Sequence, residues 1–359
     1  VLDQALAGLA VPVVAAELGE HGLELFAQGL EVAGVVDGVG EHGGAQRSAR
    51  PVGALGALVQ GDAEELVHEV AQAVAGAAEQ LGRDRGVEDA AGDEAAGAAE
   101  QAEVEVGAVA GLGLVAFAVA IMLGMGPEAI APGNPYVGST KQMGFVTHGG
   151  FHFLDLVARV ANPALRASWW QKWQVHNRLR PDTYGGRVTV QLQGARNYGL
   201  PADILNSDVV AALLSAQGNA LLPQAYPESS PNHPAYPGGH SVYTGACCTV
   251  LKALFNESFV IPDPVESTDD GTALDPWTGA ALTLGGEIDK LAFNICQGRD
   301  TAGIHWRSDA EQGLLLGEQV ALSMLADETR MLNEDFGGYE LTAFDGTPVL
   351  VAEGEIYWP

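Results

Sequence analysis

The second half of the sequence predicts an all-α fold with a small C-terminal β-hairpin. From about residue 127 onward, apolar residues recur mostly at helical spacing. The sequence has no alternating strand–helix units, and it lacks the GxGxxG and GxxxxGKS/T loops of nucleotide-binding folds. The tail YELTAFDGTPVLVAEGEIYW instead alternates in hydrophobicity on both sides of Asp345-Gly346, which is typical of a hairpin.

The predicted helices follow one another along this half. A helix near 151–161 is expected to end at Asn162-Pro163, because proline disrupts a helix interior, and a second runs over about 164–178. The stretch NSDVVAALLSAQGNALL starts with Asn and Ser, which are favourable N-caps. Three further helices are expected at 239–256, 282–297 and 306–332.

Residues 1–126 differ in composition from the rest, so they are treated as an acidic Ala/Gly/Glu-rich N-terminal segment, and 127–359 as a separate domain. The first 115 residues contain 20 Asp and Glu against 4 Arg, and their only aromatic residue is Phe26. Three interpretations stay open: a weakly amphipathic helical extension, a disordered acidic segment, or translation of a GC-rich gene in the wrong frame. No function is assigned to this segment.

Charge and composition exclude several classes of partner. A net charge of −29 argues against nucleic acid and against anionic membrane surfaces, both of which need a cationic footprint. The uncharged stretch 106–126 is long enough to span a bilayer, but it lacks flanking Lys or Arg, so a span is disfavoured. No signal peptide is expected, and the compartment stays open. Cys247, Cys248 and Cys296 form no CxxC pair and are interpreted as small buried apolar residues.

The few cations of the second half gather in short motifs. In QKWQVHNRLRPDTYGG, Lys172 is placed on a helix, and Pro181 biases Arg180 away from helical dihedral angles. Lys172 and Arg180 are therefore expected to converge on one point, from a turn and a loop. Arg178 is interpreted as an ordinary surface charge.

The stretch HPAYPGGHSVYTG predicts an anion site. A helix that begins near Gly239 or His240 presents free N–H groups and the positive end of its dipole. Gly238 and Gly239 let the backbone approach a bound group without interference from a Cβ atom. His240, in the first turn, is placed to exchange a proton with that anion.

A third motif, GRDTAGIHWRSDAEQG, brings Arg299, His305 and Asp309. His305 and Asp309 are four residues apart, so on a helix they share one face, and the carboxylate can orient the imidazole. With Lys172 and Arg180 nearby, the residue types suit an oxyanion better than a divalent cation. A histidine within such a cluster can bond to the central atom of phosphate or vanadate.

Lys-x7-Arg-Pro, Pro-x-Gly-His and Arg-x5-His-x3-Asp, in this order, resemble the signature of vanadium-dependent haloperoxidases and of type 2 phosphatidic acid phosphatase-like acid phosphatases. The sequences of these segments resemble most closely the bromoperoxidases of red algae and their cyanobacterial and bacterial relatives. The resemblance covers about 130–359 and none of the N-terminal segment. It implies a helical bundle of the vanadium haloperoxidase/acid phosphatase type, a catalytic domain over 127–359, and a homo-oligomer.

For the cofactor, the resemblance implies vanadate, with no haem and no nucleotide. His305 would be the ligand of vanadium. The oxygens would be held by Lys172, Arg180, Arg299 and the N–H of Gly239. One departure from the family pattern bears on the cofactor: Gly238 stands where the family has Ser, whose hydroxyl donates to a vanadate oxygen. Losing one donor to a charged oxygen costs on the order of 1–3 kcal/mol. Gly298 also replaces a family Ser, as is usual in the algal subfamily.

For the reaction, the resemblance implies oxidation of bromide, or of iodide or chloride, by hydrogen peroxide. The hypohalous product would halogenate a small organic acceptor. His240 would be the acid–base residue, His233 the additional histidine linked to bromide use, and Asp309 the group that orients His305. Two alternatives stay open: an acid phosphatase that uses a phosphohistidine, and an inactive relative that has lost activity with the serine.

Overall fold

The computed structural model describes residues 113, 115–225 and 229–359. The predictions for the N-terminal segment, including the apolar stretch up to residue 112, therefore lie outside the described residues. Within the described ranges, no helix combines the length and the hydropathy that crossing a membrane requires. The division of the chain at residue 126 stays a prediction.

The described part of the chain is mainly helical, as the sequence predicts. Helical residues 115–124 and a 3₁₀ turn, Pro127–Ala129, precede the named elements. The helices are α1 (Gly150–Trp170), α2 (Pro181–Leu192), α3 (Ala202–Leu205), α4 (Asp208–Gln217), α5 (Gly239–Leu254), α6 (Leu284–Thr301) and α7 (Arg307–Thr329). A π-helical turn, Gln171–His176, continues α1.

The core is built around α5. Every residue of this helix from Ser241 to Leu254 is buried, because α5 is apolar nearly all round and helices α1, α6 and α7 pack against it. The three cysteines lie in this region, free and buried, as their interpretation as small apolar residues requires. The first turn of α5, which carries Gly239 and His240, lies at one end of this core.

The predicted break at Asn162-Pro163 is wrong. Helix α1 runs through Pro163 without interruption. Proline removes one backbone donor there and strains the preceding turn, but Val160 and Ala164, on either side of it, are fully buried in the core. Packing of both flanks holds the helix together. As a result α1 carries the chain as far as the π-helical turn that bears Lys172.

Helix starts follow the capping rules where the sequence offers a cap. The hydroxyl of Ser207 accepts the N–H of Val210 at the start of α4. Helix α5 begins at Gly239, as predicted. Helix α2 is not predicted, although Pro181 occupies its first position, where proline is favourable.

The C-terminal hairpin is confirmed and is part of a larger sheet. Strands β3 (Tyr339–Thr342) and β4 (Pro348–Ala352) pair antiparallel around the loop with Gly346, and β5 (Glu355–Tyr357) adds a third strand. A separate ribbon pairs β1 (Val265–Ser267) with β2 (Leu274–Pro276). Neither β5 nor the two strands of the ribbon are predicted, because each of these three strands is only three residues long.

Candidate functional site

Lys172 lies in the π-helical turn after α1 and is fully buried. Its Nζ donates to the carbonyls of Pro234 (2.7 Å) and Ala235 (3.0 Å), in the loop that precedes α5. The side-chain nitrogen is therefore held by neutral carbonyls. Lys172 thus links the π-helical turn to the loop before α5.

Arg180 is the N-cap of α2, in extended conformation, and is buried. Its Nε donates to the carbonyl of His233 (3.0 Å), and its Nη2 lies 3.1 Å from Nδ1 of the same residue. Its Nη1 donates to the carbonyl of Ile304 (2.8 Å) and contacts Nε2 of His305 (2.9 Å). Lys172 and Arg180 thus both donate to backbone carbonyls of the segment 233–235.

The pairing of His305 with Asp309 is also found, although only one of the two is helical. His305 precedes α7, while Asp309 lies in its first turn and is fully buried. Nδ1 of His305 lies 2.9 Å from Oδ2 of Asp309, which also accepts the N–H of Trp306 at 3.0 Å. A carboxylate accepts, so Nδ1 carries the proton and Nε2 keeps its lone pair.

The interpretation of Arg178 as an ordinary surface charge is wrong. Its side chain is 40% exposed, but its Nη1 forms an ion pair with Oδ1 of Asp309 at 3.0 Å. The guanidinium also lies over the rings of Tyr236 and Trp306, 5.8 and 5.5 Å from their centroids. Local spacing misses this residue because its partner lies 131 positions away in the sequence.

Helix α5 presents its N-terminus to the same region. The N–H of Gly238, the N-cap, donates to the backbone carbonyl of Asp309 (2.9 Å). A Cβ atom on Gly239 would lie 4.0 Å from Cε of Lys172, so the helix end and this cation are neighbours. His240 follows as the second residue of α5, and Arg299 lies in the last turn of α6.

Burial lowers the pKa of the basic side chains in this cluster, and these side chains lower one another's pKa further. Burial and the charge of Arg180 lower the pKa of Lys172 to about 6, and burial and Arg299 lower the pKa of Arg180 to about 10. Burial with the neighbouring cations lowers the pKa of His233 to about 3 and holds those of His240 and His305 well below the usual value. The three imidazoles are thus neutral at pH 7.

Lys172 and Arg180 are buried, and Arg299 is half-buried. With a pKa of about 6, Lys172 is largely neutral at pH 7 when no anion is bound. The carboxylate near these basic groups, Asp309, is already shared between His305 and Arg178. Such a cluster is stabilised by a bound anion. The donors are a guanidinium pair, an ammonium group and a helix N-terminus, which fit the oxygens of a tetrahedral oxyanion. Within the described residues no group of three His, Cys, Asp or Glu side chains could hold a metal cation.

The predicted residues are thus brought together, and the roles assigned to them stay predictions. Sequence reasoning missed two further neighbours besides Arg178. Trp169, one turn before Lys172, lies with its ring 4.8 Å from that of His233. Ser241 is buried, and its Oγ would lie 2.9 Å from a Cβ atom on Gly238. Trp169 is three residues before Lys172, and Ser241 is three residues after Gly238. On a helix this spacing brings side chains close together, so it could have indicated both neighbours.

Residues 153–334, just over half of the chain, match the family described as VCPO second helical-bundle domain. The chain is 41% identical over 225 residues to a vanadium-dependent bromoperoxidase of Ascophyllum nodosum and 38% identical over 228 residues to one of Corallina officinalis. These alignments cover 59% and 58% of this chain, and 40% and 38% of the relatives. The chain thus spans about two fifths of the length of these curated relatives.

A solved structure agrees with these sequences. The second vanadate-dependent bromoperoxidase of Ascophyllum nodosum, a homohexamer, superposes with a TM-score of 0.60 and 31% identity, over 67% of this chain and 46% of that one. The buried oxyanion cluster, the family match and the shared helical fold lead to the same assignment: the chain belongs to the vanadium-dependent haloperoxidase family.

Proposed function

We propose that this protein is a vanadium-dependent bromoperoxidase, which oxidises bromide with hydrogen peroxide to a hypobromite-like species that halogenates small organic acceptors. The observation that carries the proposal is the neutral imidazole of His305. Its Nε2 lies within the cluster of buried cations, and its Nδ1 is bonded to Asp309. The relatives that match the chain are named for the same activity.

The residues fit vanadate as cofactor. Nε2 of His305 would bind the metal, since an imidazole whose other nitrogen donates to a carboxylate is a better ligand. The oxygens would be held by Lys172, Arg180, Arg299 and the N–H of Gly239. Bound vanadate supplies a Lewis-acidic centre that binds and polarises hydrogen peroxide.

The other contributions proposed for this chain are to hold negative charge and to transfer protons. The buried cations hold negative charge in a site of low dielectric, without reorganising during the reaction. His240, neutral and in the first turn of α5, would accept a proton from hydrogen peroxide and return it to the product. His233, packed against Trp169 and held by Arg180, would shape the approach of the halide.

The test compares two activities in one preparation. Purified protein is loaded with orthovanadate and given peroxide, bromide and a brominatable dye, while p-nitrophenyl phosphate is offered in parallel. Dye bromination that disappears in His305→Ala supports the proposal. His176→Gln, which changes an exposed histidine on the turn of Lys172, is the matched control and retains bromination. Phosphate ester hydrolysis that orthovanadate inhibits, without bromination, would instead identify an acid phosphatase.

We also propose a homo-oligomer. A bromoperoxidase of known structure that this chain resembles is a homohexamer. Exposed apolar side chains are present here at Trp170, the last residue of α1, and at Trp173 on the turn that bears Lys172. Light scattering of the purified chain checks this proposal, and a strictly monomeric mass at assay concentration would contradict it.

A further inference from the structure

Arg178 connects two of the segments that build the oxyanion cluster. Its backbone carbonyl accepts the N–H of Ala235 (2.9 Å), in the loop before α5. Its guanidinium donates to Oγ of Ser308 (2.6 Å) and to Oδ1 of Asp309 (3.0 Å), at the start of α7. Arg178 therefore joins the loop that carries His233 to the helix that follows His305.

The carboxylate of Asp309 is oriented from both of its oxygens. Oδ2 accepts from Nδ1 of His305 and from the N–H of Trp306, while Oδ1 faces Arg178. A carboxylate held at one oxygen only is free to rotate about its last bond. The contact at Oδ1 removes that freedom and keeps Oδ2 directed at the imidazole.

The side chain of Arg178 is itself held in place. Its guanidinium lies over the rings of Tyr236 and Trp306, and Nε1 of Trp306 donates to the carbonyl of Leu179 (2.8 Å). Arginine suits this position because its flat guanidinium stacks on aromatic rings while it donates at the edge, and lysine cannot do both. A solvated surface charge would make none of these contacts.

We infer that Arg178 is a positioning residue of the oxyanion site, which acts through Asp309 to hold His305 with Nε2 presented to the bound oxyanion. In the function proposed above, on which this inference rests, that nitrogen is the ligand of the metal. Arg178 reaches His305 through Asp309, whose other oxygen lies 2.9 Å from Nδ1 of the imidazole. Its effect is on the orientation of one ring.

The test uses the full chain in three variants. In Arg178→Gln, the dissociation constant for orthovanadate is expected to rise about 10-fold, the lower end of the range for losing an outer partner of a metal ligand. In Arg178→Lys, which keeps the charge but loses the stacking, an intermediate value is expected. Arg307→Gln removes a neighbouring arginine that is 85% exposed and pairs with Glu311, and serves as the matched control with unchanged affinity.

A spectroscopic signature separates positioning from a purely structural role. In protein labelled with ¹⁵N-histidine and free of vanadate, the His305 ring is expected to show a single tautomer with the proton on Nδ1, and Arg178→Gln is expected to broaden or mix that signal. If both substitutions at residue 178 lower the melting temperature yet leave tautomer and affinity as in the wild type, the inference is overturned. A wild-type protein that binds no orthovanadate would contradict the proposed function, while the tautomer comparison would still decide the part played by Arg178.

Discussion

Nη1 of Arg180 lies 2.9 Å from Nε2 of His305, and both side chains are buried. A guanidinium group only donates hydrogen bonds, so Nε2 must be the acceptor and must carry a lone pair. The proton on Nδ1 is shared with Asp309 on the other side of the ring. The imidazole is therefore neutral and fixed in orientation. For Nε2 to bind the central atom of an oxyanion, Arg180 would have to release this lone pair and donate to the oxyanion's oxygens instead.

Lys172 should make stability depend on pH. Its pKa is lowered from 10.5 to about 6 by burial and by Arg180. Between these values the unfolded chain binds a proton that the folded chain does not, so the free energy of unfolding rises with pH in that window, by at most about 1.4 kcal/mol per pH unit.

Urea unfolding in phosphate-free buffer at several pH values between 7 and 9 measures this effect. Lys172→Met is expected to remove that contribution, whereas Lys141→Met, at an exposed lysine, keeps the wild-type slope. Curves for wild type and Lys172→Met that run parallel would show that Lys172 keeps an ordinary pKa in the folded protein.

His240→Gln should separate catalysis from cofactor binding. Burial and the charge of Arg299 hold the pKa of His240 well below its usual value, so the ring is neutral and able to accept a proton. Removing a positioned acid–base residue typically lowers turnover about 10²- to 10⁴-fold. Orthovanadate titration of the same variant should show a much smaller change, and equal losses in turnover and affinity would assign His240 to binding instead.

The parts of the site that depend on residues close together in the chain could be predicted from the sequence. Proline after Arg180, glycines before His240 and the four-residue step from His305 to Asp309 are local signals, and each led to a residue of the cluster. That His305 lies outside α7 did not matter, since Asp309 in the first turn of the helix still reaches it.

What escaped prediction depends on packing between distant segments. Helix α1 continues through Pro163 because the residues on either side of it are buried in the core. A rule based on local sequence does not include that packing. Arg178 is distinguished from a surface charge only by a carboxylate 131 residues away. The fold class can therefore be predicted from the pattern of apolar residues, whereas the partners of individual side chains are known only from the structure.

A serine at residue 238 would require the side chain of Ser241 to move at a buried site. A Cβ atom on Gly238 would lie 2.9 Å from Oγ of Ser241 and 3.2 Å from the carbonyl of Asp309. Overpacking of this kind typically costs about 1–3 kcal/mol. Gly238→Ser is therefore expected to be destabilised, and Gly238→Ser combined with Ser241→Ala to recover most of the loss.

Thermal and urea unfolding of the two single variants and the double variant give the coupling energy between the two positions. Additive effects would show that Ser241 does not occupy the space of the missing side chain. Recovery of stability together with tighter orthovanadate binding would show that the hydroxyl at residue 238 adds a donor once there is room for it.

The crossing of α5 and α7 should tolerate no side chain on Gly317. A Cβ atom there would overlap the carbonyl of Val242 and lie 2.6 Å from the N–H nitrogen of Ala246. Both obstacles are backbone, so Gly317→Ala must push apart the two helices that carry His240 and Asp309. The expected loss is about 3 kcal/mol, at the upper end for overpacked cores.

Gly298→Ala provides the matched control for that substitution. Gly298 also lies inside a helix, α6, but nothing is within 4 Å of its Cβ position, so alanine there is expected to add about 0.5–1 kcal/mol through the lower entropy of the unfolded chain. Urea unfolding of both variants tests the contrast. If Gly317→Ala were as stable as the wild type, the helices would have room to separate, and the close approach of α5 and α7 would not be what sets the distance between His240 and Asp309.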